Sequence, residues 1–380
     1  LQVSPPSVSG SEVKMLPQSI DINGRVISGE EGFREALRTE TNDEIRKVLE
    51  FCLHWCGPDP EVVLHTSGST GVPKEIHAKK TAMLASARMT VERLGLKAGD
   101  TALLCLPMDY IAGQMVVVRA LLAGLRVIVQ DPSRHPFEGL TESPVFAALV
   151  PLQVKASLET PKEEALMRGV RELIIGGAAT DDTLAAILKT FPHHVWSTYG
   201  MTETLSHVAL RPLSGPKAGP WYEPLPGVTL SESSRGTLVI SAPAIDVPRI
   251  ETNDIVKFAE GSKEFRVLGR VDNVIDTGGI KVPAEALEDA IRSEMPVPFA
   301  VTWLPDEDLG SAVTVEVESD HPIALPDFRA ILKREGLSPY WKPRHAVFVP
   351  KISQTRSGKP DRKGIQRAAA EAKGDLKQDL

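Results

Sequence analysis

Between residues 66 and 74 the chain reads Thr66, Ser67, Gly68, Ser69, Thr70, Gly71, Val72, Pro73, Lys74. Glycine lets a backbone come close to an anion, so that successive N–H groups point at it. Hydroxyls add donors, and a terminal lysine adds charge. The chemistry this composition suits is the holding of a phosphate chain. A flexible turn rich in small residues would look the same, and the loop alone does not separate the two. The pattern G-x-x-x-x-G-K-[ST] is absent, which disfavours a P-loop kinase or NTPase. A second group, Cys52, His54 and Cys56, has C-x-H-x-C spacing. That matches no common zinc site, and cysteines at i and i+4 of a helix are ordinary packing residues.

Such a loop must be presented by regular structure. An apolar run over residues 61–66 reads as a buried strand, and residues 76–94 read as a helix. Further strands are expected over 100–106, 126–130, 145–150, 173–175 and 194–198, with helices over 113–123 and 180–190. Short apolar runs alternating with helical patterns argue for an α/β fold with a largely parallel sheet, whose ligands sit beyond the carboxyl ends of the strands. From about Pro212 short strands at 237–241, 254–259 and 264–268 read as a mainly antiparallel unit. After Arg270 a compact α+β unit is expected, with helices over 284–293, 326–335 and 363–372 and strands over 299–303, 313–318 and 346–349. The boundary is placed near residues 269–273, and the last eight residues, mostly polar, are expected to fray.

The totals narrow the class. A chain of 380 residues with 42% hydrophobic and 24% charged content has material for a sizeable core. A net charge of −7 with no basic block argues against a nucleic-acid partner. Three cysteines, Cys52, Cys56 and Cys105, make no disulfide framework and fit a reducing cytoplasm. Residues 1–20 contain no continuous apolar stretch, so no secretory signal is expected. The most apolar region, residues 115–129, is interrupted by Arg119 and Arg126, which argues against a membrane span.

The loop and five further motifs then point to one family. The loop T-S-G-S-T-G-V-P-K resembles the signature loop of the adenylate-forming (AMP-binding) superfamily, which holds acyl-CoA synthetases, adenylation domains and luciferases. Tyr199-Gly200-Met201-Thr202-Glu203-Thr204 matches its Y-G-x-T-E motif, and Gly176-Gly177-Ala178-Ala179 resembles the segment beside adenine. Asp254 stands where the family has a T-G-D aspartate, with Asn253 in place of the usual glycine. Residues 269–288 resemble the G-R-x-D…V-x-P-x-E segment, and residues 353–362 (SQTRSGKPDR) the C-terminal T-x-S-G-K motif.

The resemblance implies a large N-terminal AMP-binding domain (residues 1–269, shortened at its start) and a small mobile C-terminal domain (270–380). It implies ATP, Mg²⁺ and coenzyme A as cofactors and co-substrates. The loop Thr66, Ser67, Gly68, Ser69, Thr70, Gly71 and Lys74 would hold the β- and γ-phosphates. Gly177, Ala178, Tyr199 and Gly200 would flank the adenine, and Asp254 the ribose, with Arg270 nearby. Thr202 would donate to the α-phosphate, Glu203 would coordinate Mg²⁺, and Lys359 would bridge the incoming carboxylate and the α-phosphate. Asp272 is the hinge position, and rotation there would exchange Lys359 for the loop containing Gly278 and Gly279. Each residue also has a plainer reading: strand-end packing for Tyr199 and Thr202, a first-turn acid for Glu203, a hairpin residue for Asp254, a solvated loop lysine for Lys359 and a surface turn for Asp272.

Two departures bear on the acid. The phosphate loop comes early in the chain, and Tyr110 replaces the histidine of the P-L-x-H-x-x-G segment. These features, with "YGMTETLSHVALR", look most like the short o-succinylbenzoate–CoA ligases of menaquinone synthesis. Such a substrate keeps a second carboxylate, for which Tyr110, Gln153, Lys155 and His207 are candidate partners. His207 lies four residues past Glu203 and would share its face on a helix. Other aryl- or acyl-CoA ligases, an adenylating enzyme loading a carrier protein, and a non-catalytic binding protein of the same fold are the alternatives. The short N-terminal region leaves open whether CoA is bound more openly or with a second subunit of a homo-oligomer.

Overall fold

A computed structural model describes residues 18–65, 75–178, 180–354, 360–372 and 374–380. In chain order the first strands are β1 (Ser19–Ile22), β2 (Arg25–Ser28), β3 (Glu61–His65), β4 (Glu75–Lys79), β5 (Thr101–Leu104), β6 (Arg126–Val129), β7 (Phe146–Leu149), β8 (Glu172–Ile175), β9 (His194–Gly200), β10 (His207–Pro212) and β11 (Glu223–Pro224). Nine of them form one sheet in the order β11-β10-β9-β8-β7-β5-β6-β1-β2. Its centre is parallel, from β9 through β8, β7, β5 and β6 to β1. Antiparallel strands close both edges: β2 on β1, and β10 with β11 beside β9. The interior strands read Ala-Leu-Leu, Phe-Ala-Ala-Leu and Leu-Ile-Ile because a parallel sheet is covered on both faces. Leu103, Leu149, Leu173, Ile175 and Val195 share one core with Val154, Met167, Leu184 and Leu188 of the covering helices. The helix Ile111–Ala123 is buried nearly all round, from Gly113 to Leu121, and carries one charged residue, Arg119.

The stretch around the phosphate loop differs from the expected strand–loop–helix. Strands β3 and β4 pair antiparallel as a separate two-stranded sheet, from Glu61 opposite Lys79 to His65 opposite Glu75. The helix starts only at Lys80 (Lys80–Leu94). Residues 76–79, expected as the start of the helix, belong to β4, where Ile76 and Ala78 alternate with polar neighbours. Pairing with β3 decides this. Lys80 itself is buried, and its ammonium donates to the carbonyls of His54 (2.9 Å) and Gly57 (3.1 Å), at the end of the helix Asp43–Cys56. A cation there complements the partial negative charge of the helix's carbonyl end.

Four further strands, β12 (Thr229–Glu232), β13 (Thr237–Ala242), β14 (Val247–Phe258) and β15 (Phe265–Arg270), form a sheet in that order. Then come the hairpin β16 (Val274–Thr277) and β17 (Ile280–Pro283), and the strands β18 (Phe299–Asp306), β19 (Gly310–Glu318), β20 (His345–Val349) and β21 (Lys377–Asp379). The last four form one sheet, with β19 and β20 parallel and the outer pairs antiparallel. Val313, Val315 and Val317 pack on one face with the helices Ala284–Ile291 and Phe328–Arg334. Ala300, Leu304, Val347 and Val349 meet Ile365 and Ala369 of the helix Arg362–Glu371 on the other. The tail does not fray as expected. Residues 377–379 pair with β20, His345 Nδ1 lies 2.7 Å from Asp379, and Leu376 and Leu380 pack against the core.

The chain divides into two compact units. One comprises Leu1–Ser231, Val239–Ile250 and Phe258–Phe265, and the other Glu232–Leu238, Glu251–Lys257 and Arg266–Leu380. Among the described residues no helix is long and apolar enough to cross a membrane.

Candidate active site

Strands β8 and β9 run parallel, with Ile175 opposite Ser197, so Gly176–Ala178 and Thr198–Gly200 emerge together at their carboxyl ends. Gly176 sits against Thr198: a Cβ there would lie 2.4 Å from the Thr198 hydroxyl, which donates to the Ile175 carbonyl at 3.2 Å. Gly177 holds a left-handed φ of +80°. The structure thus brings Gly177, Ala178, Tyr199 and Gly200 to one edge.

After Gly200 the chain makes one 3₁₀ turn, Thr202–Thr204, and reverses at Leu205, whose φ is 63°. The Thr204 hydroxyl accepts from the Met201 N–H (3.0 Å) and donates to the Ser206 carbonyl (2.8 Å), tying both sides of the turn. Thr202 is partly exposed and Glu203 exposed, so both face outward from a braced turn. Gly200 makes the turn possible: a Cβ would lie 2.3 Å from the Ser206 carbonyl oxygen and 2.6 Å from the His207 Cα. Backbone atoms cannot yield as a flexible side chain would. Gly200→Ala is therefore expected to cost about 1–3 kcal/mol and to depress adenylation, checked by urea unfolding beside an ATP–pyrophosphate exchange assay.

The loop residues Thr66, Ser67, Gly68, Ser69, Thr70, Gly71 and Lys74, and Lys359, lie outside the described residues. In the second unit, Asp254 is 8% exposed and pairs with Arg270 (2.9 Å), which also reaches Asp272 (3.2 Å). Asn253 donates to both Asp272 oxygens at 3.3 Å. The glycine-to-asparagine departure thus gives the Asp272 carboxylate an added donor. Gly278 and Gly279, with φ of 59° and 83°, form the two-residue turn of the β16–β17 hairpin.

The acyl-partner candidates separate. Tyr110 is half exposed at the start of the helix Ile111–Ala123. Lys155 pairs with Asp181 at 2.6 Å. The Gln153 side chain is engaged with the backbone: it donates to the Cys105 (3.2 Å) and Ser133 (2.9 Å) carbonyls and accepts from the Val150 N–H (3.1 Å). His207 does not share a helix face with Glu203, because the chain turns at Leu205 and His207 opens β10. It is buried, with Nε2 3.1 Å from the Thr90 hydroxyl and Nδ1 3.3 Å from that of Ser206. Burial, and the cation of Arg119 nearby, hold its imidazole well below the ordinary range, hence neutral.

Arg119 is what reading the sequence missed. It is 2% exposed, donates to the Ser206 hydroxyl at 2.6 Å, and has no carboxylate partner among the described residues. Its Nε is buried without an acceptor, and burial pulls the guanidinium down to about 10. The signal was a lone arginine in an otherwise apolar helix. For a metal, the described residues contain no group of three or more His, Cys, Asp or Glu placed to hold one. Glu203 offers a single exposed carboxylate, a donor that fits a Mg²⁺ ion whose other ligands are phosphate oxygens and water.

Residues 16–231 match the family of AMP-binding enzymes. The chain is 29% identical over 338 residues to a probable 2-succinylbenzoate–CoA ligase of Mycobacterium tuberculosis (strain CDC 1551 / Oshkosh), covering 83% of this chain and 86% of that one. A crystal structure from Dyadobacter fermentans, an acyl-CoA synthetase (AMP-forming)/AMP-acid ligase II-like protein, is 33% identical with a TM-score of 0.58, over 87% of this chain and 96% of that one. The o-succinylbenzoate CoA synthetase of Bacillus subtilis, solved with its acyl-adenylate intermediate, shares the fold at 19% identity and a TM-score of 0.65, over 79% and 68%. The family match takes in the braced turn after β9 and the paired strand ends beside it, and the chain belongs to the AMP-binding enzymes.

Proposed function

We propose that this chain is an AMP-forming acid–CoA ligase acting on 2-succinylbenzoate. A carboxylate repels nucleophiles and has no good leaving group. Attack of its oxygen on the α-phosphorus of ATP forms an acyl–phosphate bond and releases pyrophosphate. The CoA thiol then attacks the acyl carbon, and AMP departs. The protein's part is alignment and charge stabilisation. Tyr199 and Gly177–Ala178 flank the adenine, Asp254 takes the ribose hydroxyls with Arg270 beside it, and Thr202 donates to an α-phosphate oxygen. The residues 66–74 hold the outer phosphates, and Lys359 bridges the two reacting groups. Mg²⁺ at Glu203 would supply neutralising charge to the phosphates. Asp272 is the hinge that brings Gly278 and Gly279 forward for the thioester step.

The observation that carries the choice of acid is Arg119. A buried guanidinium without a counter-charge is costly. A substrate with a second carboxylate supplies the missing partner, and 2-succinylbenzoate has one left after activation. The curated relatives of that name point the same way. Arg119→Met is accordingly expected to leave the free protein as stable or more so, while raising KM for the acid about 10–100-fold. Melting curves and initial rates check the two halves.

The direct test incubates the protein with Mg-ATP, CoA and 2-succinylbenzoate and reads products by mass spectrometry. A thioester and AMP that require all three support the proposal. AMP and pyrophosphate without thioester point to another acceptor, and no turnover removes this acid.

A further inference from the structure

Behind Tyr199 lies a side-chain assembly that the reaction outlined above does not use. Tyr222 stacks on Phe265 (centroids 5.5 Å apart, planes 26°). Tyr199 meets both rings steeply, Tyr222 at 5.9 Å and 64°, and Phe265 at 5.2 Å and 84°. The stack is fixed at its base. The Tyr222 N–H donates to the Phe265 carbonyl (2.7 Å), the Phe265 N–H donates back (3.1 Å), and the Tyr222 hydroxyl lies 2.9 Å from that of Ser197. The Arg211 guanidinium lies over the Tyr222 ring, 5.4 Å from its centroid. Arg211 lies on β10 opposite Ser197 of β9 and also donates to the Thr180 carbonyl at 3.4 Å. Thr180 is 6% exposed and sits two residues past Ala178.

One side chain therefore spans two segments. Through Tyr222 it supports Tyr199, and through Thr180 it holds the end of the Gly177–Ala178 segment. The two are the sides between which a flat base would lie. A planar guanidinium can stack by its face while donating from its edge; an ammonium cannot do both. We propose that Arg211 is a positioning residue of the nucleotide site, which fixes the spacing between the Gly177–Ala178 segment and the Tyr199 ring and so sets affinity for the adenine of ATP. This rests on the reading above that these residues flank the adenine, and it adds the group that holds them.

The test measures ATP and AMP dissociation constants by calorimetry on the full chain, so it does not depend on which acid is activated. Arg211→Ala and Arg211→Lys are expected to weaken both nucleotides about tenfold. Tyr222→Phe, which keeps the ring, should weaken them less than about threefold, and Tyr222→Ala should match Arg211→Ala. KM for the acid and kcat at saturating ATP should stay within about twofold in Arg211→Lys. Unchanged nucleotide affinity in Arg211→Ala overturns the proposal, as does full retention by Arg211→Lys. An equal loss of acid and nucleotide affinity with a lowered melting temperature reduces Arg211 to a structural residue and also overturns it. Tyr199→Ala separates the premise. If it leaves ATP affinity unchanged, the adenine reading fails and the proposal with it. If it weakens ATP while Arg211→Ala does not, the adenine reading stands and only the positioning role is lost.

Discussion

Arg362→Ala is expected to remove about 3–5 kcal/mol of stability. Arg362 opens the last long helix, three residues past Lys359. It grips Glu288 with two bonds, 2.6 and 2.8 Å, donates to the Val301 carbonyl at 3.2 Å, and lies 3.4 Å from Glu285. Glu288 is 7% exposed and its only other partner among the described residues is the Val301 N–H at 2.7 Å. Glu285 is bound to Asn273, and burial holds its carboxyl above the usual range. Removing the cation leaves a buried acid, Glu288, and a half-buried one, Glu285, without their shared counter-charge, so the loss exceeds that of a surface pair, which is at most about 1 kcal/mol. Replacing both partners, Arg362→Met with Glu288→Leu, should recover most of the loss because no unpaired charge remains. Urea unfolding and hydrogen exchange of β18 and β19 would read it. A loss below about 1 kcal/mol would show the cluster screened as at a surface.

The second large effect is a fall in stability with rising pH, traced to Glu316. This residue is fully buried in β19, between Ala300 of β18 and Val347 of β20. It shares their face, which Ile352, Ile365 and Ala369 cover. Neither carboxyl oxygen has a hydrogen-bond partner among the described residues, and burial pushes the group from an ordinary 4.5 up to about 7. Between those two values the folded chain holds a proton that the unfolded chain has lost. Stability therefore declines as pH rises through this window, at up to about 1.4 kcal/mol per pH unit, and flattens above about 7. Over the window this amounts to about 3 kcal/mol. Glu316→Gln has no proton to lose, so its stability should exceed that of the parent at pH 8 and converge with it below about pH 4.5. Parallel slopes from pH 5 to 8 would mean that Glu316 finds a charge partner on ionising.

Much of the fold was legible because its signals are local. The apolar runs of β5 to β9 are what a sheet covered on both faces requires, and the helix between β5 and β6 is expected from the same alternation, whereas Pro151–Leu158 and Pro161–Arg168 between β7 and β8 carry no such expectation. The errors fall where a short segment chooses between partners. Residues 76–79 run directly into a helix and are expected as part of it, yet Glu75–Lys79 pairs with β3 instead. His207, expected to share a helix face with Glu203, instead opens the strand His207–Pro212, because Leu205 reverses the chain and β9 offers it a free edge. The polar tail looked unbound, and β20 had an open edge for it. Strand pairing is decided between segments distant in the chain, which local patterns do not report.

The site divides the same way. The motifs at Gly176–Ala178, Tyr199–Thr204, Asp254 and Arg270 are legible in the sequence through their resemblance to the family's motifs, and their roles at a nucleotide are part of the proposal above. Sequence by itself also showed an arginine, Arg119, interrupting an apolar stretch. Only the tertiary structure decided that Arg119 is buried against Ser206 without a carboxylate, and that Arg211 reaches both Tyr222 and Thr180. The reason is physical: a charge acquires its meaning from desolvation and from the groups that surround it, and both depend on chain segments that are adjacent only once the protein has folded.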